Sequence, residues 1–389
     1  MSRCENFYAT LENREPEKLI LDLAGCPLSG IDNALLDKIS DLLGFNGGKE
    51  KDELFGDING QIIDERILKY LDIDTRPVGS ILSPKKSLAK RISNSEYIDE
   101  WGMRYKYTGL YWEHVGFPLR GARVDDLDSY PWPEPESIDY KEIEAIRDRA
   151  KYLYENTDYV ICASHPVYGI FELGCWMCGF DDFLIKMALD TDFIKKFFNI
   201  ILAYQEKVID IYYSEIGEYI HYTSSGDDFA IQENSFVSPE TFDALIKPYF
   251  EERIRYTRKY TKAAYLHHSC GNVHSLIPSL IEAGVQILNP IQPVNELMSA
   301  GSLKKSYSKQ ICFHGGIDTQ KILPFGTEED VKKEVKGVID IISKDGGYIF
   351  AAAHNLQKDV PPENVIAMFK AARECYAPGS KKKTGPGND

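Results

Sequence analysis

The sequence contains no long apolar run, no signal-peptide core and no excess of basic residues. None of its apolar runs approaches the roughly 18 residues that a membrane helix requires, so we do not expect a membrane-spanning protein. The first residues contain no apolar signal-peptide core, which makes the cytoplasm the expected location. Basic side chains are outnumbered, 45 Lys and Arg against 60 Asp and Glu, and the net charge of −15 disfavours binding to nucleic acid.

Cysteine is sparse and scattered, with 8 residues in a chain of 389. A chain of this length buries enough apolar surface to fold without disulfides, so we expect reduced thiols or metal ligands. The closest pair, Cys175 and Cys178, has Trp and Met between its members. No thioredoxin-like strand precedes this pair, and we expect it to pack in the core.

The second half of the chain alternates short apolar segments with amphipathic ones. Six strands are predicted there, and two earlier apolar segments raise the number to eight. The predicted strands cover residues 19–25, 72–79, 159–164, 219–225, 263–269, 285–290, 310–316 and 347–353. Eight strand–helix units predict an α/β fold of the (β/α)8 TIM-barrel type. The structural alternative is a doubly wound open sheet, which the absence of a Gly-rich dinucleotide motif disfavours.

We predict one domain over residues 1–377, followed by a flexible Gly-, Pro- and Lys-rich tail at 378–389. Residues 30–137 interrupt the regular pattern. They contain a predicted helix from Asn33 to Leu43 and an aromatic-rich segment at 97–121 that is typical of a hairpin or small sheet.

Polar and reactive side chains fall at the carboxyl ends of the predicted strands, where a barrel of this type carries its active site. Six of the eight histidines lie at or near strand ends, namely His165, His221, His267, His268, His314 and His354. The alternative interpretation is that strands simply become polar where they end. The whole set together favours an active site.

The most specific unit is His268-Ser269-Cys270 on the fifth predicted strand. Residues two apart on a strand face the same side, so this imidazole and thiol point together, whereas His267 points away. Such a pair can form half of a zinc site, and His354 across the barrel mouth could supply a third ligand. Asp227, Asp228 or water could complete the site. The alternative is a core histidine beside a small buried cysteine.

Other residues at the strand ends are candidates for catalysis and substrate binding. The adjacent carboxylates of Asp227 and Asp228 could give a general acid, a metal ligand or a partner for a cation, or could merely cap the next turn. We predict a catalytic role for Asp228 and His354. The expected substrate-binding residues are His165, Asp227, Gln292, Tyr168 and Asn289.

From residue 219 onward the sequence resembles the uroporphyrinogen decarboxylase superfamily, which includes cobalamin-dependent methyltransferases with the same barrel. The segments that carry the resemblance are GDD (226–228), SPETF (238–242), HHSCGNV (267–273), LIEAGVQILNPIQ (280–292), HGGIDTQKILPFGT (314–327) and GGYIFAAAHNLQKDVPPENV (346–365). The N-terminal part is similar through DEWGMRYK (99–106) and YPWPEPE (130–136).

The resemblance implies different chemistries for the two branches. Decarboxylases bind their polycarboxylate substrate with an Arg-rich motif after the first strand, but residues 22–32 here contain no Arg or Lys. The methyltransferases bind zinc through an H-x-C pair, which His268 and Cys270 match. Their later ligand is Cys in members that methylate thiols, and this chain has His354 there.

The resemblance therefore implies a zinc-assisted, corrinoid-dependent methyltransferase. It would move a methyl group between a small methylated substrate and the cobalt of a separate corrinoid protein. The substitution of His for Cys favours demethylation of a methoxylated aromatic compound or a methylamine. The alternatives are a metal-independent lyase related to the decarboxylases and a non-enzymatic ligand-binding barrel. A homodimer is a further expectation from the superfamily.

Overall fold

Eight parallel strands alternate with helices around a barrel. The computed structural model describes residues 1–45, 63–109 and 112–376. The barrel strands are β1 (Ile20–Leu21), β2 (Thr75–Val78), β7 (Val160–Ser164), β8 (Tyr222–Gly226), β9 (Ala264–His268), β10 (Ile287–Ile291), β11 (Cys312–Ile317) and β12 (Tyr348–Ala352). They lie in the order β1-β12-β11-β10-β9-β8-β7-β2. The amide of Asp74, just before β2, donates to the carbonyl of Leu21 on β1 at 3.0 Å and brings the two edges together.

This architecture confirms the predicted (β/α)8 barrel. Seven of the strands, all except β8, consist entirely of buried residues, as expected for parallel strands that are covered on both faces. Their apolar side chains divide into an inner and an outer core. The inner core includes Ile20, Leu266, Ile287, Cys312 and Ile349.

Successive side chains on a strand point to opposite faces, and this alternation determines which residues face the barrel interior beyond the inner core. The residue two positions after an inward-facing one also faces inward. Polar residues therefore follow the inner core toward the carboxyl ends of the strands. Among them are Asp22, His268, Asn289 and His314.

Helices cover the outside of the barrel. They are α1 (Arg3–Leu11), α2 (Asn33–Leu42), α3 (Glu65–Tyr70), α4 (Asp126–Ser129), α5 (Tyr140–Asn156), α6 (Ile170–Cys178), α7 (Phe180–Leu189), α8 (Thr191–Ile216), α9 (Pro239–Thr241), α10 (Lys247–Thr257), α11 (Ile277–Ala283), α12 (Ala300–Tyr307), α13 (Ile322–Phe325), α14 (Glu328–Ile342) and α15 (Pro362–Cys375). The predicted helix from Asn33 is confirmed, and Asp32 caps it by accepting the amide of Ala34 at 2.8 Å. Cys175 and Cys178 are buried on α6, which confirms their expected place in the core.

The segment between β2 and β7 forms a second, antiparallel sheet. Its strands are β3 (Lys90–Ser93), β4 (Glu96–Ile98), β5 (Arg104–Tyr107) and β6 (Trp112–Gly116). The sequence predicted a hairpin or small sheet over 97–121, and the observed sheet begins earlier, at Lys90. The predicted tail at 378–389 lies outside the described residues. In the ranges that the structure covers, no helix combines the length and apolar character needed to cross a bilayer.

Candidate active site

Three candidate ligands meet at the barrel mouth, the end where the parallel strands terminate. His268 ends β9, Cys270 follows it, and His354 follows β12. One ligand atom from each of the three lies within 4.8 Å of the other two. The Nε2 atom of His268 is 3.3 Å from the Sγ atom of Cys270, which agrees with the predicted common facing. The structure thus brings together the pair from one strand and the imidazole from another.

The protonation states of this cluster suit a cation. Burial lowers the pKa of His268, although the nearby Asp228 acts in the opposite direction. Burial and the neighbouring His268 lower the pKa of His354, so both imidazoles are neutral near pH 7. Burial, together with Asp228 and Glu172, raises the pKa of the Cys270 thiol to about 12. A thiolate at this position therefore needs a bound cation to stabilise it.

Asp228 lies beside the cluster. Its Oδ1 atom is 3.6 Å from Nε2 of His268, and the same oxygen accepts the amide of Cys270 at 2.7 Å. The side chain keeps 31% of its surface exposed, so a molecule in the mouth can reach it. This placement fits the catalytic role predicted for Asp228.

Asp227 is placed differently from its neighbour. Its carboxylate is fully buried and accepts the amides of Phe171 at 3.1 Å and Glu172 at 2.8 Å at the start of α6. Desolvation raises the pKa of Asp227 to about 6, against the lowering effect of Arg253 and of these amides. The structure thus engages Asp227 with a helix end rather than with the mouth, which leaves its predicted contact with substrate without support.

His165 also lies away from the cluster. It is buried between the sheet and α10, where Nε2 is 3.2 Å from the hydroxyl oxygen of Thr257. Its ring packs against Tyr213 and Tyr265 at centroid distances of 5.6 and 5.9 Å. The strand-end pattern could not show that this side chain faces the helices.

Two of the other predicted substrate-binding residues lie at the cluster. Gln292 accepts the amide of Gly271, next to Cys270, at 3.0 Å. Asn289 is buried, and its Oδ1 atom is 2.5 Å from Nδ1 of His268. Both residues support the cluster without belonging to it. Tyr168 is partly buried and packs edge-on against Trp176 on α6, with ring centroids 5.6 Å apart.

Glu172 is a residue of this site that the sequence alone did not indicate. Desolvation, followed by the charges of Asp228 and Asp227, raises the pKa of Glu172 well above the ordinary value for a glutamate. A buried carboxylic acid with a raised pKa beside a second carboxyl group is a common arrangement for proton transfer. Its position four residues before Trp176 places both on one face of α6.

The comparisons identify the family. The uroporphyrinogen decarboxylase (URO-D) family model matches residues 115–375. The chain belongs to this family. Membership of the URO-D family confirms the resemblance inferred from the motifs at the strand ends.

Two similar proteins show how much of the chain resembles known proteins, one by sequence and one by fold. A curated uroporphyrinogen decarboxylase from Trichodesmium erythraeum (strain IMS101) is 26% identical over 144 residues, which are 36% of this chain and 37% of that protein. The match thus spans just over a third of the curated relative. The solved structure of a methyltransferase from Methanosarcina mazei aligns with a TM-score of 0.63 at 16% identity, covering 97% of this chain and 100% of that one. This second likeness concerns the fold.

Proposed function

We propose that this URO-D family protein is a zinc-assisted, corrinoid-dependent methyltransferase. It would move a methyl group between a small methylated substrate, favoured as a methoxylated aromatic compound or a methylamine, and the cobalt of a separate corrinoid protein. The observation that carries the proposal is the cluster of His268, Cys270 and His354 at the barrel mouth. The fold shared with the Methanosarcina mazei methyltransferase gives further support.

The three residues fit a zinc ion. Zinc bond lengths and a tetrahedral angle place a nitrogen and a sulfur ligand about 3.6 Å apart, close to the 3.3 Å between His268 and Cys270. Three protein ligands leave one position for substrate, the arrangement that catalytic zinc sites use. When bound, Zn²⁺ would act as a Lewis acid on the heteroatom of the substrate.

The residues around the cluster supply the remaining chemistry. Asp228, partly exposed beside the cluster, is the group we propose as the acid that gives a proton to an oxygen or nitrogen leaving group. Tyr168 and Trp176 offer an aromatic wall for a flat or cationic substrate. His354 stands where thiol-methylating relatives carry Cys, which favours a substrate other than a thiol.

Metal content is the first test of this proposal. Protein purified without added metal should contain about one zinc per chain, and His268→Ala combined with Cys270→Ser should remove it. The chain offers a matched control because Cys4 and His221 form another contact of 3.3 Å between Sγ and Nε2, near the amino end of β8. The control variant, Cys4→Ser with His221→Asn, should retain the zinc. Well-folded wild-type protein without zinc-binding capacity would contradict the proposal.

Activity is the second test. A reduced corrinoid protein is mixed with the enzyme and a panel of methoxylated aromatic compounds and methylamines, and methylation of cobalt is followed by absorbance. We expect methylation with at least one donor, and its loss in the zinc-free variant. Methylation that is equally fast in that variant would contradict the role of the cluster.

A second candidate is a metal-independent carboxy-lyase in which Asp228 and His354 act as acid and base. The family match and the curated relative, both described as uroporphyrinogen decarboxylase, favour this candidate. The absence of Arg and Lys from residues 22–32 disfavours it, because a polycarboxylate substrate needs cationic partners. Incubation with uroporphyrinogen, followed by mass spectrometry for loss of carboxyl groups, decides between the two.

A further inference from the structure

A continuous chain of hydrogen bonds crosses the barrel interior and ends on a candidate metal ligand. The Nδ1 atom of His268 is 2.5 Å from Oδ1 of Asn289, whose Nδ2 is 2.6 Å from Nδ1 of His314. The Nε2 atom of His314 is 2.7 Å from Oδ2 of Asp22. None of the four residues is more than 4% exposed.

The carboxylate of Asp22 determines which atoms donate and which accept along this series of hydrogen bonds. Hydrogen bonds from His314 and Thr75 keep the pKa of Asp22 below its ordinary value, although burial acts to raise it. An ionised carboxylate only accepts, so Nε2 of His314 donates to it. The amide nitrogen Nδ2 of Asn289 lies on the His314 side and can only donate, so Nδ1 of His314 accepts from it. The amide oxygen of Asn289 is left to accept from His268, which must carry its proton on Nδ1.

Asp22 is firmly held at its end of the chain of bonds. Its Oδ1 atom accepts the hydroxyl of Thr75 and the amide of Gly25, the latter at 2.9 Å. A Cβ atom on Gly25 would lie only 2.1 Å from that oxygen, so the backbone approaches the carboxylate as closely as only glycine permits. A buried polar network is stable when each member has its partner, and each of these four has one.

We propose that Asn289, His314 and Asp22 are positioning residues that fix His268 in the Nδ1–H tautomer. The Nε2 lone pair of His268 is thereby directed to the space shared with Cys270 and His354. The inference rests on the metal site of the proposed function for its purpose, but the tautomer itself belongs to the metal-free protein. Partners of this kind orient ligating histidines and raise their basicity.

The tautomer can be measured without metal. Protein with ¹⁵N-labelled histidine is examined by NMR, and the signals of His268 are assigned with His268→Gln. We expect a protonated Nδ1 and an unprotonated Nε2. An Nε2–H signature in the wild-type protein would overturn the proposal, and the variant serves only to assign the signals.

Zinc affinity, measured by competition with a chelator, gives the second readout. Asn289→Leu removes both hydrogen bonds at similar volume and should weaken zinc binding by about 10- to 100-fold, with a mixture of His268 tautomers. Asn289→Asp keeps an acceptor for His268 and should retain both the tautomer and most of the affinity. Ser225→Ala is the matched control, because it removes the 3.1 Å contact of the neighbouring His267, which is outside the network.

The outcomes separate the two proposals. If Asn289→Leu is folded and binds zinc as tightly as the wild type, the positioning role is wrong. If the wild-type protein shows the expected tautomer but binds no zinc, the positioning role stands and the proposed metal site fails.

Discussion

His221 shows how a single buried residue connects stability to pH. It lies just before β8, where its Nδ1 atom accepts the amide of Ile161 at 2.9 Å. Burial lowers the pKa of His221 to about 4 from an ordinary value of 6.5. The histidine was predicted to belong to the set at the strand ends, but it lies at the amino end of its strand, so its contribution is to folding.

We expect His221 to make the protein less stable as the pH falls from 7 to about 4. Over this range the unfolded chain binds a proton that the folded chain excludes, so acid favours unfolding. The shift corresponds to at most about 3 kcal/mol of unfolding free energy. Urea denaturation at pH 7 and pH 4.5 measures the loss, and His221→Asn, which keeps an acceptor for Ile161, should lose less stability between these pH values. An identical loss in the variant would assign the effect to other groups.

The start of α6 depends on close packing between a glycine and a carboxylate. Gly169 precedes the helix, and a Cβ atom at this position would lie 2.3 Å from Cγ of Asp227. Asp227 in turn accepts the first amides of α6, the helix that carries Glu172 and Trp176. The position of these side chains is therefore coupled to the loop after β8.

Gly169→Ala should destabilise the protein by about 1–3 kcal/mol, because the added methyl group must displace the buried Asp227. Gly337→Ala is the matched control. It lies inside α14, where no neighbouring atom of the described residues comes within 4 Å of the added methyl group, and it should stabilise the helix by up to about 1 kcal/mol. Unfolding transitions of both variants in urea measure the difference. Equal stability of the two variants would show that the loop adapts to the methyl group without cost.

Elements with a strong local pattern were predicted well, and those shaped by their neighbours were not. The amphipathic spacing of the sequence over residues 239–260 indicates one continuous helix, whereas a π-helical turn over Phe242–Ile246 separates α9 from α10. Pro248 is the second residue after this turn and has no amide hydrogen to donate, which favours a wider turn before it. The size of the antiparallel sheet was also missed, because its first strand is exposed and lacks apolar alternation.

At the scale of the molecule, the sequence predicts a contact when the two-residue period of a strand and the closure of the barrel together bring the residues to one place. His268 and Cys270 share a face because they are two residues apart, and closure of the barrel brings His354 to them. The bond between His314 and Asp22 joins residues 292 positions apart, and no local pattern indicates it. Glu172 was missed for the same reason, since its environment is created by the loop after another strand.

Because closure of the barrel brings the proposed ligands together, we expect bound zinc to stabilise the whole barrel against unfolding. Its proposed ligands follow β9 and β12, which are separated in the sheet by β10 and β11, so a bound ion would link distant parts of the mouth. Binding to the folded state alone adds about 2.7 kcal/mol when free zinc is 100 times the dissociation constant. Thermal unfolding of chelator-treated protein, with and without added zinc, should therefore show a rise of a few degrees in Tm. Magnesium should produce no rise, because it prefers oxygen ligands.

The variant with His268→Ala and Cys270→Ser tests whether the rise in Tm depends on these two ligands. We expect it to unfold at the same temperature with and without zinc, whereas the variant with Cys4→Ser and His221→Asn should keep the full response. Stabilisation that persists in the first variant would place the ion elsewhere on the chain. Stabilisation that is absent from the wild type would remove the metal from the proposed function and leave the carboxy-lyase as the better explanation of the family match.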